Sequence, residues 1–305
     1  MPLIVRWVYV HGRTSHRNKY IYKTPLDKSE GAPRTGINIL PIEISIILVA
    51  YHSAKHLAVT LPVLKTVDAT IPREIIVVNN SPDEDLSAIC ASHDAKLLIP
   101  GVNLGFGRGV NFGYKEASGD IILVCNPDAT PNPGAIASCV EFLDKHSDTG
   151  IICPKLIYPD GTHQQSARCF YSWKAALYAR SPWRNDDNPP KYFREYMMMD
   201  EDFSKTREID WALGAALFVR RELAERMGDR IFDPRYFLYF EDVDLCLTCW
   251  RMGYKVVYLP DAVFVHHYER RSRKSPLSRA NMHHLVSFMK FVAKYRGLPS
   301  RPRVK

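Results

Sequence analysis

Long apolar runs, paired cysteines and a phosphate-binding glycine fingerprint after the first strand are all missing from this 305-residue chain. The longest early apolar stretch, residues 3–10, is broken by Arg6 and is too short to span a bilayer, so neither a membrane anchor nor a secretory leader is expected. The seven cysteines are odd in number and irregularly spaced, which excludes a disulfide framework and fits a reducing cytoplasm. Cys246 and Cys249 form a C-x-x-C, but they lie in a helical pattern with no second pair, which argues against a zinc site. The first strand runs into Ala50-Tyr-His-Ser53 with no glycine, against a nucleotide-dependent dehydrogenase. No internal repeat is visible.

What is present is 46% hydrophobic residues with 24% charged, enough for one large α/β domain with a substantial core. The net charge is +8 and favours anionic partners. The cations gather at the ends: Arg13, Arg17 and Lys19 on one side, Arg270, Arg271, Arg273, Lys274 and the basic residues beyond on the other. They read either as solvated tails or as attraction to an anionic membrane surface at about 1 kcal/mol per cation. Because they lie in the tails and on no patterned face, nucleic acid is not an expected partner.

Three segments are expected. Residues 1–40 are a polar, basic extension punctuated by Gly31, Pro33 and Gly36. Residues 41–268 carry strands and helices in alternation, and residues 269–305 form a basic helix and tail. Within the middle segment, strands are read at 44–50, 74–79, 95–99 and 120–125, with helices at 56–66, 85–93 and 105–118 between them. This alternation predicts a parallel sheet with helices on both faces. Ligands of such sheets collect at the carboxyl ends of the strands, which marks Ala50, Tyr51, Asn79, Asn80 and the run from Asn126 to Asp128. Later, strands are expected at 150–158, 212–220, 255–258 and 263–267. Residues 171–207, aromatic and without a clean period, read as a long, partly mobile insertion that covers something. A C-terminal helix is expected over 277–295.

Four features carry chemistry. Asp128, where the chain leaves its strongest strand after Pro127, is a hard oxygen ligand suited to Mg²⁺ or Mn²⁺ on a diphosphate; the same residue also suits an Asx turn closing the strand. Glu241, Asp242 and Asp244 crowd the first turn of a predicted helix. They complement its dipole, and like charges so close also raise each other's pKa, as a general base needs. His266, beside His267 at a strand end, is either a metal ligand or simply exposed. Asn103-Leu-Gly-Phe-Gly-Arg-Gly-Val-Asn111 reads as a glycine-rich helix entry or as backbone that approaches a ligand closely, with Asn103, Gly105 and Arg108 available to an anion.

The order of these segments is more specific than any one of them. Ile75-Ile-Val-Val-Asn-Asn-Ser81, the Asn103 loop, Gly119-Asp-Ile-Ile-Leu-Val-Cys-Asn-Pro-Asp128, Tyr158-Pro-Asp-Gly-Thr162 with Gln165-Ser-Ala-Arg168, Asp210-Trp-Ala-Leu-Gly214, Tyr239-Phe-Glu-Asp-Val-Asp244 and Val265-His266 follow one another. From residue 42 to 267 the chain resembles the family 2 glycosyltransferases, and within them the rhamnosyltransferase-like branch. The resemblance implies an α/β GT-A fold: a mostly parallel nucleotide-binding sheet flanked by helices, with an irregular acceptor-side insertion. It implies inverting sugar transfer, rhamnose favoured, from a nucleotide-sugar donor to a glycan or lipid-linked glycan acceptor, with Mg²⁺ or Mn²⁺ as cofactor. On that resemblance Asp128 and His266 hold the metal, and Asp242 is the catalytic base with Glu241 as its neighbour. Ala50, Tyr51, Asn79, Asn103, Gly105, Arg108 and Asn126 meet the donor, while Asp210, Trp211 and Gly214 form the acceptor-side wall. Asn79 stands where the family usually has an aspartate, Asn126 and Asp128 form a reduced Asp-x-Asp, and no glycine follows His266-His267. A cytoplasmic enzyme, peripheral at the inner face of the cytoplasmic membrane, is the implied location, and a catalytically inactive GT-A fold that only binds sugar is the alternative.

Overall fold

The computed structural model describes residues 43–267 and 278–302. The basic extension 1–40 and the cations Arg270, Arg271, Arg273 and Lys274 lie outside the described residues.

In chain order the first half runs β1 (Ile44–Ala50), α1 (Ala54–Thr66), β2 (Arg73–Asn79), α2 (Ser87–Ser92), β3 (Lys96–Leu98), α3 (Phe106–Tyr114), β4 (Ile121–Cys125), β5 (Ala129–Pro131), α4 (Ala135–Lys145) and β6 (Thr149–Ile157). The second half adds β7 (His163–Gln164), β8 (Ala167–Arg168), α5 (Trp173–Arg180), α6 (Lys191–Met197), β9 (Arg207–Glu208), β10 (Trp211–Ala212), β11 (Ala216–Arg220), α7 (Arg221–Arg226), α8 (Glu241–Arg251), β12 (Lys255–His266) and α9 (Arg279–Tyr295).

The main sheet has the order β3-β2-β1-β4-β11-β6-β12-β5. β1 is Ile-Ser-Ile-Ile-Leu-Val-Ala, and every residue of it is buried. Such a run is stable only as a central strand covered on both faces. Its residues alternate between two cores: Ile47 and Val49 join one, Ile46 and Leu48 the other. β1 pairs in parallel with β2 and β4, in a register that brings Ala50 level with Asn79 and Leu48 level with Cys125. The carboxyl ends of three strands therefore open on one crevice.

The sheet is not parallel throughout. β11 runs antiparallel to both β4 and β6, and β5 runs antiparallel to β12. The strand expected over 212–220 is divided: Trp211–Ala212 pairs with β8 in a separate ribbon, and residues 213–215 turn the chain into β11. The two strands expected at 255–258 and 263–267 are one, β12, with a register shift between Leu259 and Val263 where Pro260 interrupts the ladder. Two helices, α5 and α6, occupy the stretch 171–207 that lacked a clean period. α4 and β5 were not anticipated at all. No helix among the described residues is long and apolar enough to cross a membrane.

Candidate active site

At the end of β4 the chain turns sharply. Ala129 N–H donates to the Asn126 carbonyl at 3.1 Å, and Thr60 Oγ donates to the Pro127 carbonyl at 2.5 Å. The turn delivers Asp128 to the edge of β12, where His267 N–H donates to the Asp128 carbonyl and His266 pairs in register with Ala129. His266 Nε2 and Asp128 Oδ1 lie 3.4 Å apart, with the imidazole buried. On its other side His266 Nδ1 meets Gln164 Oε1 at 2.9 Å. An amide oxygen only accepts, so Nδ1 carries a proton there and a neutral ring turns its Nε2 lone pair toward the carboxylate. That geometry suits a metal ion between the two groups. Burial works to raise the Asp128 carboxyl, but the hydrogen bond and charge of His266, with His56 behind, outweigh it and hold it below the ordinary value. One carboxylate and one imidazole fit a borderline divalent cation. No cluster of three or more His, Cys, Asp or Glu able to hold a metal occurs among the described residues. Asp128 and His266 are two.

The acidic helix start is strained on entry. Tyr239 and Phe240 both adopt φ near +67°, and Phe240 caps α8 without a side-chain hydrogen bond. Left-handed backbone at two non-glycine residues costs about 1–3 kcal/mol each and persists only where packing fixes it. Here the Phe240 ring is held between Tyr171 (5.4 Å between centroids), Phe288 (5.6 Å) and Phe291 (5.4 Å).

This entry sends the three carboxylates to different places. Asp244 turns into the protein, where Lys294 Nζ reaches its oxygens at 2.7 and 2.8 Å and the Tyr236 and Tyr295 hydroxyls donate to Oδ1. Its task is to anchor α9. Asp242 is half-buried, its Oδ1 accepting from Val243 N–H at 2.8 Å and its Oδ2 from Gly214 N–H at 3.2 Å. Loss of water pushes its pKa up to about 6, against the restraint of those two backbone donors and the charge of Arg168. Glu241 is fully buried and, among the described residues, its Oε2 has no hydrogen-bond partner. Burial and the adjacent Asp242 charge push its carboxyl well above the ordinary range, so it stays protonated.

A single loop joins the two acidic centres. Ala215 C=O accepts from Asn126 N–H at 2.8 Å, while the preceding Gly214 donates to Asp242. The Asn126–Asp128 turn and the Asp242 carboxylate are thus tied to successive residues of one segment, as expected for opposite walls of one cleft. Trp211 lies behind, its Nε1 donating to Cys169 C=O at 2.8 Å and its ring stacked on Tyr171. The Asp210 carboxylate is engaged by Phe170 N–H at 2.7 Å and by Arg301 at 3.3 Å; burial raises its pKa.

The glycine-rich loop has a structural duty. Gly105 (φ +79°) packs where a Cβ would fall on the Phe237 carbonyl oxygen. Cβ atoms at Gly109 and Gly113 would come within 2.9 Å of Val49 and 2.7 Å of Ile47. Close packing against protein atoms requires glycine at these positions. α3 is pressed onto β1, and its first turn reaches Glu241, 3.6 Å from a Cβ at Gly107. Asn103 Oδ1 accepts from Gly105 N–H at 2.8 Å, and exposed Arg108 donates through Nε to Pro234 C=O. On the donor side, Ala50 is buried and Tyr51 stands half exposed at the crevice. The Asn79 amide is occupied by Glu84 C=O and Ser81 N–H, so it shapes the loop after β2.

Two contributors, Gln164 and Arg168, escaped the sequence reading, whereas Asn80 is marked by its place at the end of β2. Asn80 donates to Gly105 C=O at 3.0 Å and fixes the glycine loop. Gln164 orients His266. Arg168, quoted only within a motif, has a guanidinium bonded to the Ala167 carbonyl and charge coupling to Asp242, Tyr171 and Tyr196. Its signal was a lone cation in an apolar, aromatic stretch.

The family model for glycosyl transferase family 2 matches residues 45–225. The chain is 28% identical over 280 residues to N-acetylglucosaminyl-diphospho-decaprenol L-rhamnosyltransferase of Mycobacterium tuberculosis, covering 85% of this chain and 86% of that protein. It is 27% identical over 236 residues to rhamnosyltransferase WbbL of Escherichia coli, covering 75% and 85%. Among solved structures it superposes on GalNAc-T7 with UDP, GalNAc and Mn²⁺ at a TM-score of 0.62 and 15% identity, over 82% of this chain and 48% of that one. It superposes on mannosyltransferase PcManGT of Pyrobaculum calidifontis, in complex with GDP-Man and Mn²⁺, at 0.57 and 18%, over 85% and 65%. The chain thus spans about half and about two thirds of these two proteins, and the likeness shows the GT-A fold.

Proposed function

From a chain that belongs to glycosyl transferase family 2 and therefore moves sugar from a nucleotide-sugar donor, we propose an inverting rhamnosyltransferase that acts on a lipid-linked glycan at the cytoplasmic face of the membrane. The sugar and the acceptor follow the relatives, whose names specify rhamnosyl transfer and, for the mycobacterial protein, a diphospho-decaprenol acceptor.

The observation that carries the reading is the Gly214–Ala215 segment, whose two residues hydrogen-bond Asp242 and Asn126, at the start of the Asp128 turn. Donor and acceptor must meet with the attacking hydroxyl and the leaving diphosphate on opposite sides of the anomeric carbon. Asp242 takes the proton of the attacking hydroxyl; Val243 and Gly214 N–H fix its two oxygens. With Glu241 kept neutral by burial and Asp244 held by Lys294, Asp242 is the carboxylate of the helix start available to take the proton. Arg168 favours the ionised form of Asp242. The nucleoside lies against Ala50, Tyr51 and the Asn79 loop, with Asn103, Gly105 and Arg108 bordering its phosphates and Asn126 beneath. Trp211 and Gly214 wall the acceptor, with Asp210 bracing the strand behind them. Asp128 and His266 would hold Mg²⁺ or Mn²⁺, which when bound neutralises the charge of a departing diphosphate.

The test is nucleoside diphosphate release from a panel of UDP-, GDP- and dTDP-sugars, dTDP-rhamnose included, with a polyprenyl-diphosphate glycan as acceptor. Release from one donor, absent with chelator and lost in Asp242→Asn, is the expected outcome. Donor binding without turnover across acceptors would replace the reading by an inactive sugar-binding fold.

A further inference from the structure

α9 has apolar residues on both sides. Ser287 and Phe291 face the core, and Phe288, His284 and Tyr295 flank them against Phe240 and Asp244. The opposite side carries Met282, Leu285 and Met289, spaced three and four apart, and they are 54%, 42% and 54% exposed. α5 lies beside it: the Trp173 ring meets Phe288 edge-on at 6.3 Å, and Arg180 stands over the same ring and bonds His284. α5 in turn exposes Trp173 and Leu177, one turn apart, and the loop after it exposes Trp183 at 83%. Neither helix contains an aspartate or glutamate, while both carry cations: Lys174 and Arg180 on α5, Arg279 and Lys290 on α9.

A core helix does not place methionine and leucine in water on the face away from its packing, and a solubilising face is not free of acidic residues. On the two helices large exposed apolar side chains, Trp173 among them, are interleaved with cations alone, and Asp186 and Asp187 follow only in the loop beyond Trp183; such helix faces are complementary to the surface of an anionic lipid bilayer. We propose that the outer face of α5 and α9 docks the protein on such a surface, with Met282, Leu285, Met289, Leu177, Trp173 and Trp183 entering the headgroup boundary. Attraction to the membrane is thereby assigned to a folded surface of two helices, where the sequence alone suggested the basic C-terminal helix and the tails. The surface is one layer from the acidic pair: Phe240, immediately before Glu241, packs on Phe288 and Phe291 of the docking helix. The inference stands on exposure and charge and does not require the transfer reaction.

The full chain is mixed with vesicles of phosphatidylcholine alone or with about one third phosphatidylglycerol, and the bound fraction is read by flotation. A triple variant, Met282→Gln, Leu285→Gln and Met289→Gln, changes only solvent-facing side chains; circular dichroism and its melting midpoint check its fold. A second variant, Lys174→Gln with Arg279→Gln, serves where the first is misfolded. Wild type is expected on the anionic vesicles with a blue shift of tryptophan emission, and each variant is expected to lose at least tenfold in bound fraction. Wild type left in solution, either folded variant binding as wild type does, or equal binding to neutral vesicles would overturn the proposal. So would a wild-type dimer that the triple variant dissolves without any vesicle binding. Nucleoside diphosphate release in detergent, with a short-chain acceptor, reports on the reaction separately.

Discussion

Asp242 and Glu241 are adjacent, Glu241 the more deeply buried, and neutral pH divides them. Asp242 has two backbone donors and titrates at about 6, while Glu241 has an oxygen with no partner among the described residues and stays protonated. If Asp242 is the base, kcat/KM rises with pH up to about 6 and is level above it, and a pH profile with saturating metal checks this. Asp242→Asn keeps one backbone hydrogen bond, loses the base and is expected to lower kcat by about 10²–10⁴-fold. Glu241→Gln mimics the neutral acid. Because the folded state holds the Glu241 proton more tightly than the unfolded chain, stability is present at low pH and lost as pH rises through the folded pKa. The glutamine variant is therefore expected to match wild type below about pH 4.5, where the carboxyl is neutral in both states, and to melt higher already near neutrality, as denaturation followed across pH would reveal. These roles could be suspected from sequence only because Glu241, Asp242 and Asp244 crowd one turn. Which of the three turns inward was not legible, since it depends on Lys294 and Tyr295, about fifty residues away.

At the scale of elements, α4 shows why a helix can be missed. Its apolar positions Ile136, Cys139, Val140 and Leu143 have helical spacing, but Pro131-Asn-Pro-Gly134 precedes them and no local side chain caps the start. The cap comes from Asp68, in the turn before β2, whose carboxylate accepts from Gly134, Ile136 and Ala137 N–H at 2.7–3.1 Å. A cap borrowed across 66 residues leaves no mark in the neighbouring sequence. β1, β2 and β4 by contrast were legible because each is buried by its own apolar run. The anchoring of α9 is testable in the same terms. Asp244→Ala takes the shared acceptor from Tyr236, Tyr295 and Lys294, leaves Lys294 with Asp233 alone, and should cost about 1.5–3 kcal/mol in a denaturant titration, whereas Lys65→Ala, at an exposed ion pair, should cost less than about 1 kcal/mol.

For the whole molecule, the parallel half of the sheet and the crevice at its end followed from alternating strands and helices, but strand direction did not. Nothing within Ala-Leu-Phe-Val-Arg220 says that β11 runs against its neighbours; that follows from the Gly214–Ala215 turn, which must serve Asn126 and Asp242 together. A donor bound across this crevice touches both halves of the sheet. At about 100 times its Kd it should add about 2.7 kcal/mol, raising Tm by about 5 °C with Mn²⁺, and much less with chelator or in His266→Ala. Scanning calorimetry with UDP- and dTDP-sugars would separate the donors. The order β4-β11-β6 also bears on birth of the chain at the ribosome. Once residues up to Cys125 have emerged, β3, β2, β1 and β4 have all their mutual partners, but the outer edge of β4 must wait for Ala216. At roughly 5–20 residues per second, ~90 residues of synthesis leave that bare edge open for about 5–20 s. During that interval the nascent chain offers an unpaired, wholly apolar strand to other nascent chains, so crowded translation and the supply of chaperones, more than the stability of the finished fold, set how much of the protein survives its own synthesis.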